Sequence, residues 1–142
     1  MEIIRLTEVD ADVNYIVEFM IDRDEEGPSL SHLKVFLNDD RSYLLTAKIN
    51  NLVIGYAFAY RFPSLYGSAF MAYLYDIEVS ETYRRQGVGR AMIKVLLGLL
   101  NKDNVSELYL GTATDNVEGQ ALFSKTGGVR SGETFNDFTY YL

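Results

Sequence analysis

Cysteine is absent from the 142 residues, so this chain has no disulfide framework, no cysteine-based zinc site and no thiol nucleophile, and nothing points to export. Proline is scarce. Only Pro28 and Pro63 are present, and no serine- or glycine-rich tract, repeat or low-complexity stretch marks a linker, so one domain over residues 1–142 is expected. A domain of that length buries roughly two thirds of its unfolded surface without staples. The only histidine, His32, stands in an expected helix without a partner motif, which argues against a metal or a catalytic triad there. Basic charge is also short: 13 lysines and arginines face 20 acidic residues, and the net charge of −7 opposes binding to a phosphate backbone. Nucleic acid is not an expected partner. No apolar run approaches the ~20 residues of a membrane span, and the start MEIIRLTEVDADV is acidic where a signal peptide is basic, so the expected location is the cytoplasm.

What is present reads as alternating short elements. Glu2 to Leu6 alternates like a strand, and Asp10 then reads as the N-cap of a helix carrying Val13, Ile16, Val17 and Met20. An acidic loop, Asp22 to Glu26, ends at Gly27-Pro28; Ser29 starts a second helix through Leu30, Leu33, Val35, Phe36 and Leu37. Ser42 to Ile49 and Leu52 to Phe62 form a hairpin around Asn50-Asn51, a pair that tolerates positive φ. Phe70 to Val79 is a further strand. Simple alternation puts Met71, Tyr73, Tyr75, Ile77 and Val79 on one face and Phe70, Ala72, Leu74, Asp76 and Glu78 on the other. From Val88 a helix carries Met92, Val95, Leu96 and Leu99 in a stripe that Ile93, Leu97 and Leu100 widen, enough for deep burial or for a homodimer. Glu107 to Thr112 reads as a strand, Asn116 to Thr126 as a helix stopped by Gly127-Gly128, and Glu133 to Leu142 as a closing strand with Phe135, Phe138, Tyr140 and Tyr141. The pattern alone supports a mixed α/β domain.

The stretch RRQGVGRAM, Arg84 to Met92, carries the chemistry. It lies where strand gives way to helix, and the first turn of a helix has N–H groups without intrahelical partners at the positive end of the macrodipole. Gly87 and Gly89 lack the Cβ that would hold a ligand off those groups, and Arg84, Arg85 and Arg90 add full charge, so a pyrophosphate fits. Plain turn chemistry explains the same glycines. The dinucleotide fingerprint is not met, because Met92 stands at its third glycine, and GQALFSKT misses a Walker A loop because Ser124 replaces a glycine.

The spacing Arg84-x-x-Gly87-x-Gly89-x-Ala91, with LYDIEV upstream, resembles the acetyl-coenzyme A signature of the GNAT superfamily of N-acetyltransferases. Within it, YLYDIEVSETYRRQGVGRAMI is most similar to the aminoglycoside 3-N-acetyltransferases, and weaker similarity runs from about Arg41 to Lys125. The resemblance implies an α/β (α+β) GNAT fold, a mixed, mostly antiparallel central sheet of about six to seven strands flanked by about four helices. It implies acetyl-coenzyme A as co-substrate, with pyrophosphate on Arg84, Arg85, Gln86, Gly87, Val88, Gly89 and Arg90 and the pantetheine arm on the main chain of Ile77, Glu78 and Val79. Asn116 caps its helix and by resemblance touches the cofactor. Phe123 stands where the family commonly carries a tyrosine that returns a proton to the thiolate; it can pack against the arm but cannot donate.

The acceptor amine arrives protonated and needs a carboxylate. Asp76 matches the acidic residue of the aminoglycoside enzymes' strand and is expected to receive the ammonium, with Glu78, about 6.5–7 Å along the same face, beside it or salt-bridged to an arginine. Both also read as solvated charges on an open strand face. Further acceptor contacts fall to Tyr75, to Asp24, Glu25 and Glu26 of the acidic loop, and to Asp137 with Tyr140 near the C-terminus. No cysteine or activated serine points to an acyl-enzyme, so direct transfer in a ternary complex is expected. The acceptor is expected to be an aminoglycoside; another small amine, a polyamine or a peptide N-terminus is the alternative, and a non-catalytic acyl-coenzyme A binder a third.

Overall fold

Asn50 and Asn51 take φ of 49° and 65°, which turns the chain back at the tip of a hairpin as their side chains allow. In this computed structural model, which describes residues 1–7, 16–20 and 27–142, that hairpin is the middle of a sheet. The chain divides into two units, Met1–Gly111 and Thr112–Leu142. The first runs β1 (Glu2–Leu6), a helical stretch at 16–20, α1 (Leu30–Asn38), β2 (Ser42–Ile49), β3 (Leu52–Pro63), β4 (Phe70–Val79), a 3-10 turn (Glu81–Tyr83), α2 (Val88–Lys102) and β5 (Val105–Tyr109). The second holds α3 (Val117–Lys125), whose cap Asn116 accepts from the Gly119 N–H at 3.0 Å. The expected Asp10 cap, Val13 and the acidic loop with Asp24, Glu25 and Glu26 lie outside the described residues. No helix among the described residues is long and apolar enough to cross a membrane.

The sheet order is β1-β2-β3-β4-β5, antiparallel except for β4 and β5, which run parallel. One face is built of Tyr43, Leu45, Ala57, Ala59, Ala72 and Leu74, all buried, and the small residues of β3 let α2 lie close. The α2 side chains that go inside are Val88, Met92, Ile93, Leu96 and Leu100. This stripe differs from the expected one: Val95 and Leu99 are half-buried, and Leu97 is 40% exposed. Against the other face pack Leu33 and Leu37 of α1 and Ile16, closing on Leu6, Leu44, Val53 and Tyr56. Val35 of α1 is exposed.

Two strand expectations need correction. Glu133 to Leu142 forms no strand; Phe135, Phe138, Tyr140 and Tyr141 are between 70% and 93% exposed. Their alternation signals propensity, but a strand exists only where a ladder accepts its main-chain groups. Among the described residues the sheet therefore has five strands rather than about six to seven. The last of them also starts earlier than Glu107, because Asn104 turns at φ 60° and its carbonyl accepts from the Phe70 N–H at 2.9 Å, opening the ladder at Val105.

The third correction bears on the site. In the β3–β4 ladder Phe58 faces Asp76 and Ala59 faces Leu74, so Tyr75 is one residue too many, a β-bulge. Alternation reverses phase there. Tyr73, which pairs with Tyr60, and Asp76, which pairs with Phe58, come to the same face instead of opposite ones. Behind this bend Gly55 lies so close to the sheet and to α2 that an added Cβ would stand 2.8 Å from the Glu78 carbonyl oxygen and 3.2 Å from Met92 Cε. Gly55→Ala is expected to destabilise the fold by about 1–3 kcal/mol, read as a lower denaturant midpoint at constant slope, because the clash is with main chain.

Candidate functional site

The C-terminal half of β4 is exposed on one side of the ladder. Pairing with β5 covers Phe70 to Tyr73, opposite Val105 to Tyr109, and stops there. Among the described residues no strand follows β4 on that side from Leu74 to Val79, while β3 pairs with its other side as far as Val79. An extended ligand can lie along that open side and take main-chain hydrogen bonds, as an added strand would. Ile77, Glu78 and Val79 all lie in this half.

At the end of β4 the chain is folded into a cradle that can take an anion. Ser80 N–H donates to the Ile54 carbonyl at 2.7 Å, the 3-10 turn follows, and Arg84 Nε reaches back to the Val79 carbonyl at 3.1 Å. Gln86 Nε2 donates to the Thr82 carbonyl at 3.1 Å. Arg85 takes φ 61° and Gly87 φ 83°, left-handed conformations of the kind that let nearby N–H groups face one concavity. Gly87 is the N-cap of α2 and no side chain caps the helix, whose first bond runs from the Ala91 N–H to the Gly87 carbonyl at 3.0 Å. The N–H groups of Val88, Gly89 and Arg90 precede that bond and are aimed out of the helix end. Nothing stands within 4 Å of where a Gly87 Cβ would be. Arg84, Arg85 and Arg90 are exposed around it. A pyrophosphate fits here on shape, donors and charge.

The carboxylates sit just before the cradle. Asp76 is half-buried, and Tyr56 Oη, from a residue itself buried, donates to its Oδ2 at 2.9 Å. Glu78 shares the face, as expected, and lies 3.9 Å from Arg84 Nη2, the long edge of an ion pair. Tyr75 stacks on Phe58, ring centroids 5.1 Å apart, and is 64% exposed. Burial pushes the Tyr60 phenol above its ordinary value and the neighbouring Tyr75 adds to this, so Tyr60 stays protonated near neutrality. The structure thus brings Asp76, Glu78, Tyr75, Ile77, Val79 and the residues from Arg84 to Arg90 into one connected region. Asn116, Phe123 and Asp137 belong to the second unit, where Phe123 is half-buried and Asp137 exposed. Sequence reading missed Tyr56 and Gly55. Neither carries a motif, and each acts through a residue more than 15 positions away.

The profile of the family described as Acetyltransferase (GNAT) family matches residues 5–128. Among curated proteins the chain is 38% identical over 56 residues to the [Ribosomal protein bS18]-alanine N-acetyltransferase of Escherichia coli (strain K12), a match covering 39% of this chain and 38% of that protein. It is 34% identical over 67 residues to N-acetyltransferase family 8 member 3 of Mus musculus, covering 47% of this chain and 29% of the relative. These matches span about a third of the relatives' length. An aminoglycoside acetyltransferase from an uncultured soil metagenomic sample, solved with sisomicin, superposes with a TM-score of 0.87 at 23% identity, covering 99% of this chain and 95% of the other. AAC(6')-Iy in complex with the bisubstrate analog CoA-S-monomethyl-acetylneamine gives 0.81 at 16% identity, covering 99% and 98%. At such identities the likeness shows the fold.

Gly87→Val is expected to weaken binding of inorganic pyrophosphate at least about tenfold by calorimetry, since a β-branched residue does not hold positive φ and its methyls would occupy the cradle. Equal affinity in the two proteins would place the anion elsewhere.

Proposed function

The chain belongs to the acetyltransferase (GNAT) family, and from that premise we propose that it transfers an acetyl group from acetyl-coenzyme A to a primary amine by direct attack in a ternary complex. The observation that carries this reading is the alignment of three features on one strand: the open side of β4 from Leu74, Asp76 on its face, and the uncapped cradle at Gly87 where it ends. When bound, acetyl-coenzyme A supplies the activated acetyl group as a thioester. The backbone of Ile77, Glu78 and Val79 would hold its arm and offer a donor to the thioester oxygen, where charge develops during attack. Arg84 to Arg90 would hold the pyrophosphate; the resemblance also gives cofactor contacts to Asn116 and Phe123.

Asp76 would receive the incoming ammonium and draw off its proton, directly or through water. The Tyr56 hydroxyl fixes one of its oxygens and leaves the other to the substrate. Glu78 is read as the partner of Arg84 that steadies the cradle. A thiolate with a thiol pKa of about 8.5 leaves tolerably without an acid, so Phe123 at the family's tyrosine position does not forbid turnover. The preferred acceptor is an aminoglycoside amine with 3-N regiochemistry, on the strength of the sequence resemblance. A second reading, a peptide N-terminus, is favoured by the 38% identity to the bS18-alanine enzyme. A cytoplasmic homodimer, with the exposed Leu97 at its contact, is part of the proposal, as is a single domain spanning both units.

Thiol release from acetyl-coenzyme A with kanamycin- and gentamicin-type compounds, butylamine, spermine and alanyl peptides tests the reading. Tight coenzyme A binding with no amine-dependent release would leave an acyl-coenzyme A binder. Asp76→Asn is expected to lower kcat/KM about 10²- to 10³-fold while coenzyme A affinity stays within about twofold; retention of full activity would remove Asp76 from the chemistry. Phe123→Tyr is expected to keep or raise kcat, and a collapse would mean that the pocket is shaped for a ring without a hydroxyl.

A further inference from the structure

The face that carries Asp76 is floored with rings well beyond the carboxylate. Phe58 and Tyr75 stack at 5.1 Å and 21°, Tyr75 meets Tyr73 edge-on at 6.2 Å, and Tyr73 meets Tyr109 of β5 at 5.0 Å. The inner member, Phe58, packs under α1 against Phe36 at 6.0 Å, as a core ring should. The outer members do not. Tyr75 is 64% exposed and Tyr109 45% exposed, so the series runs from the core into solvent.

It ends at a carboxylate. In the β4–β5 register Glu107 faces Met71 and Tyr109 faces Tyr73, which puts exposed Glu107 on the same face as Tyr109 and Tyr73. Across the ladder Asp76 faces Phe58 and Met71 faces Phe62, four positions away, so at ~3.3 Å per residue the two carboxylates lie roughly 13–15 Å apart once the step to β5 is added, with the rings between them. The arginine–ring contacts of Arg5 over Tyr43 and Arg61 over Tyr43 and Phe70 belong to the opposite face. Ring faces flanked by carboxylates attract an ammonium that carries apolar methylenes.

We propose that Tyr73, Tyr75 and Tyr109, with Glu107 at their far end, form a subsite for a second cationic group of the acceptor, so that the enzyme selects amines bearing a distant second ammonium over simple monoamines. The proposal rests on the reading that Asp76 receives the amine to be acetylated. That amine sits at one end of the floor, the connecting chain or ring lies across Tyr75 and Tyr73, and the second ammonium lies over Tyr109 facing Glu107. An extended tetraamine spans the floor; a monoamine uses only its Asp76 end. The net charge of −7 makes the surrounding field favourable to such a polycation.

The test compares kcat/KM for spermine and for butylamine, alongside calorimetric titration of spermine into the protein without acetyl-coenzyme A. Wild type is expected to favour spermine at least about tenfold. Tyr109→Leu and Glu107→Gln are each expected to cut the spermine-to-butylamine ratio about threefold to tenfold, and Tyr109→Phe, which keeps the ring, to preserve it. An unchanged ratio in both Tyr109→Leu and Glu107→Gln would overturn the subsite with the transferase reading intact. If no amine gives thiol release, the transferase reading falls by itself: spermine binding weakened by Tyr109→Leu would still support the subsite, and binding equal to wild type would overturn it.

Discussion

The extra residue at Tyr75 governs where this molecule keeps its charge. β4 is covered by α2 on one face, where Ala72 and Leu74 lie buried beneath the stripe of Met92, Ile93 and Leu96. Strict alternation after Leu74 would send Asp76 and Glu78 into that same apolar layer, where an unpaired carboxylate costs several kcal/mol. The bulge reverses the phase at the last position where this can be avoided. Asp76 emerges beside Tyr56, whose hydroxyl holds it, and Ile77 and Val79 take the α2 side in its place. A bulge also twists its strand. Pairing with β5 stops at Tyr73, two residues before the bulge, so the open side that the proposed chemistry uses begins where the orientation of its carboxylate is set.

Orientation at the other end of the site comes from short links rather than from depth. Arg84 is tied to Val79 through its Nε and lies near Glu78, so the cradle is fastened to the strand it must serve. Val88, 3% exposed, seats the first turn of α2 against the sheet. Arg85 is held at positive φ, a conformation that disfavours a residue with a Cβ by about 1–2 kcal/mol and is retained where surrounding contacts dictate it. Gly87 accepts the same backbone sign without strain. The direction of the helix N–H groups is thereby set before any anion arrives, which is what preorganised electrostatic binding requires.

Much of this was legible in the chain. Asn50-Asn51 announces its hairpin because these side chains tolerate the left-handed region, and the bounds of β4 and the start of α2 follow from an apolar run broken by RRQG. The open helix start at Gly87 was readable for the same local reason: a helix start is a short-range property. What was not legible depends on pairs distant in sequence. Nothing in FMAYLYDIEV says that Tyr75 rather than a neighbour is skipped, since the choice is made by β3 across the ladder. The reason for Gly55 appears only when β4 and Met92 close on it, and the Tyr56–Asp76 bond joins residues 20 apart. The C-terminal aromatics show the converse failure. Phe135, Phe138, Tyr140 and Tyr141 have strand propensity, yet propensity cannot supply a neighbouring strand.

The two ends of α2 are treated in opposite ways, and the contrast explains why the cradle can stay open. Its C-terminal end is closed by polar contacts: the fully buried Tyr43 donates to Asp103 Oδ2 at 2.6 Å and accepts from Arg61 Nη1 at 3.0 Å, while the Arg5 guanidinium lies 4.1 Å over the Tyr43 ring. Burial, then the bond to Asp103, pushes the Tyr43 phenol above its ordinary value, so it remains a donor throughout the neutral range. Arg61 also donates to the Asp40 carbonyl at 2.7 Å, which binds the loop after α1 into the same knot. Glycine at the N-cap forfeits only about a few tenths of a kcal/mol of helix stability relative to a side-chain cap. With the far end of α2 tied down and five of its side chains buried along the sheet, the helix does not need that cap to keep its place, and its first N–H groups are left for a ligand.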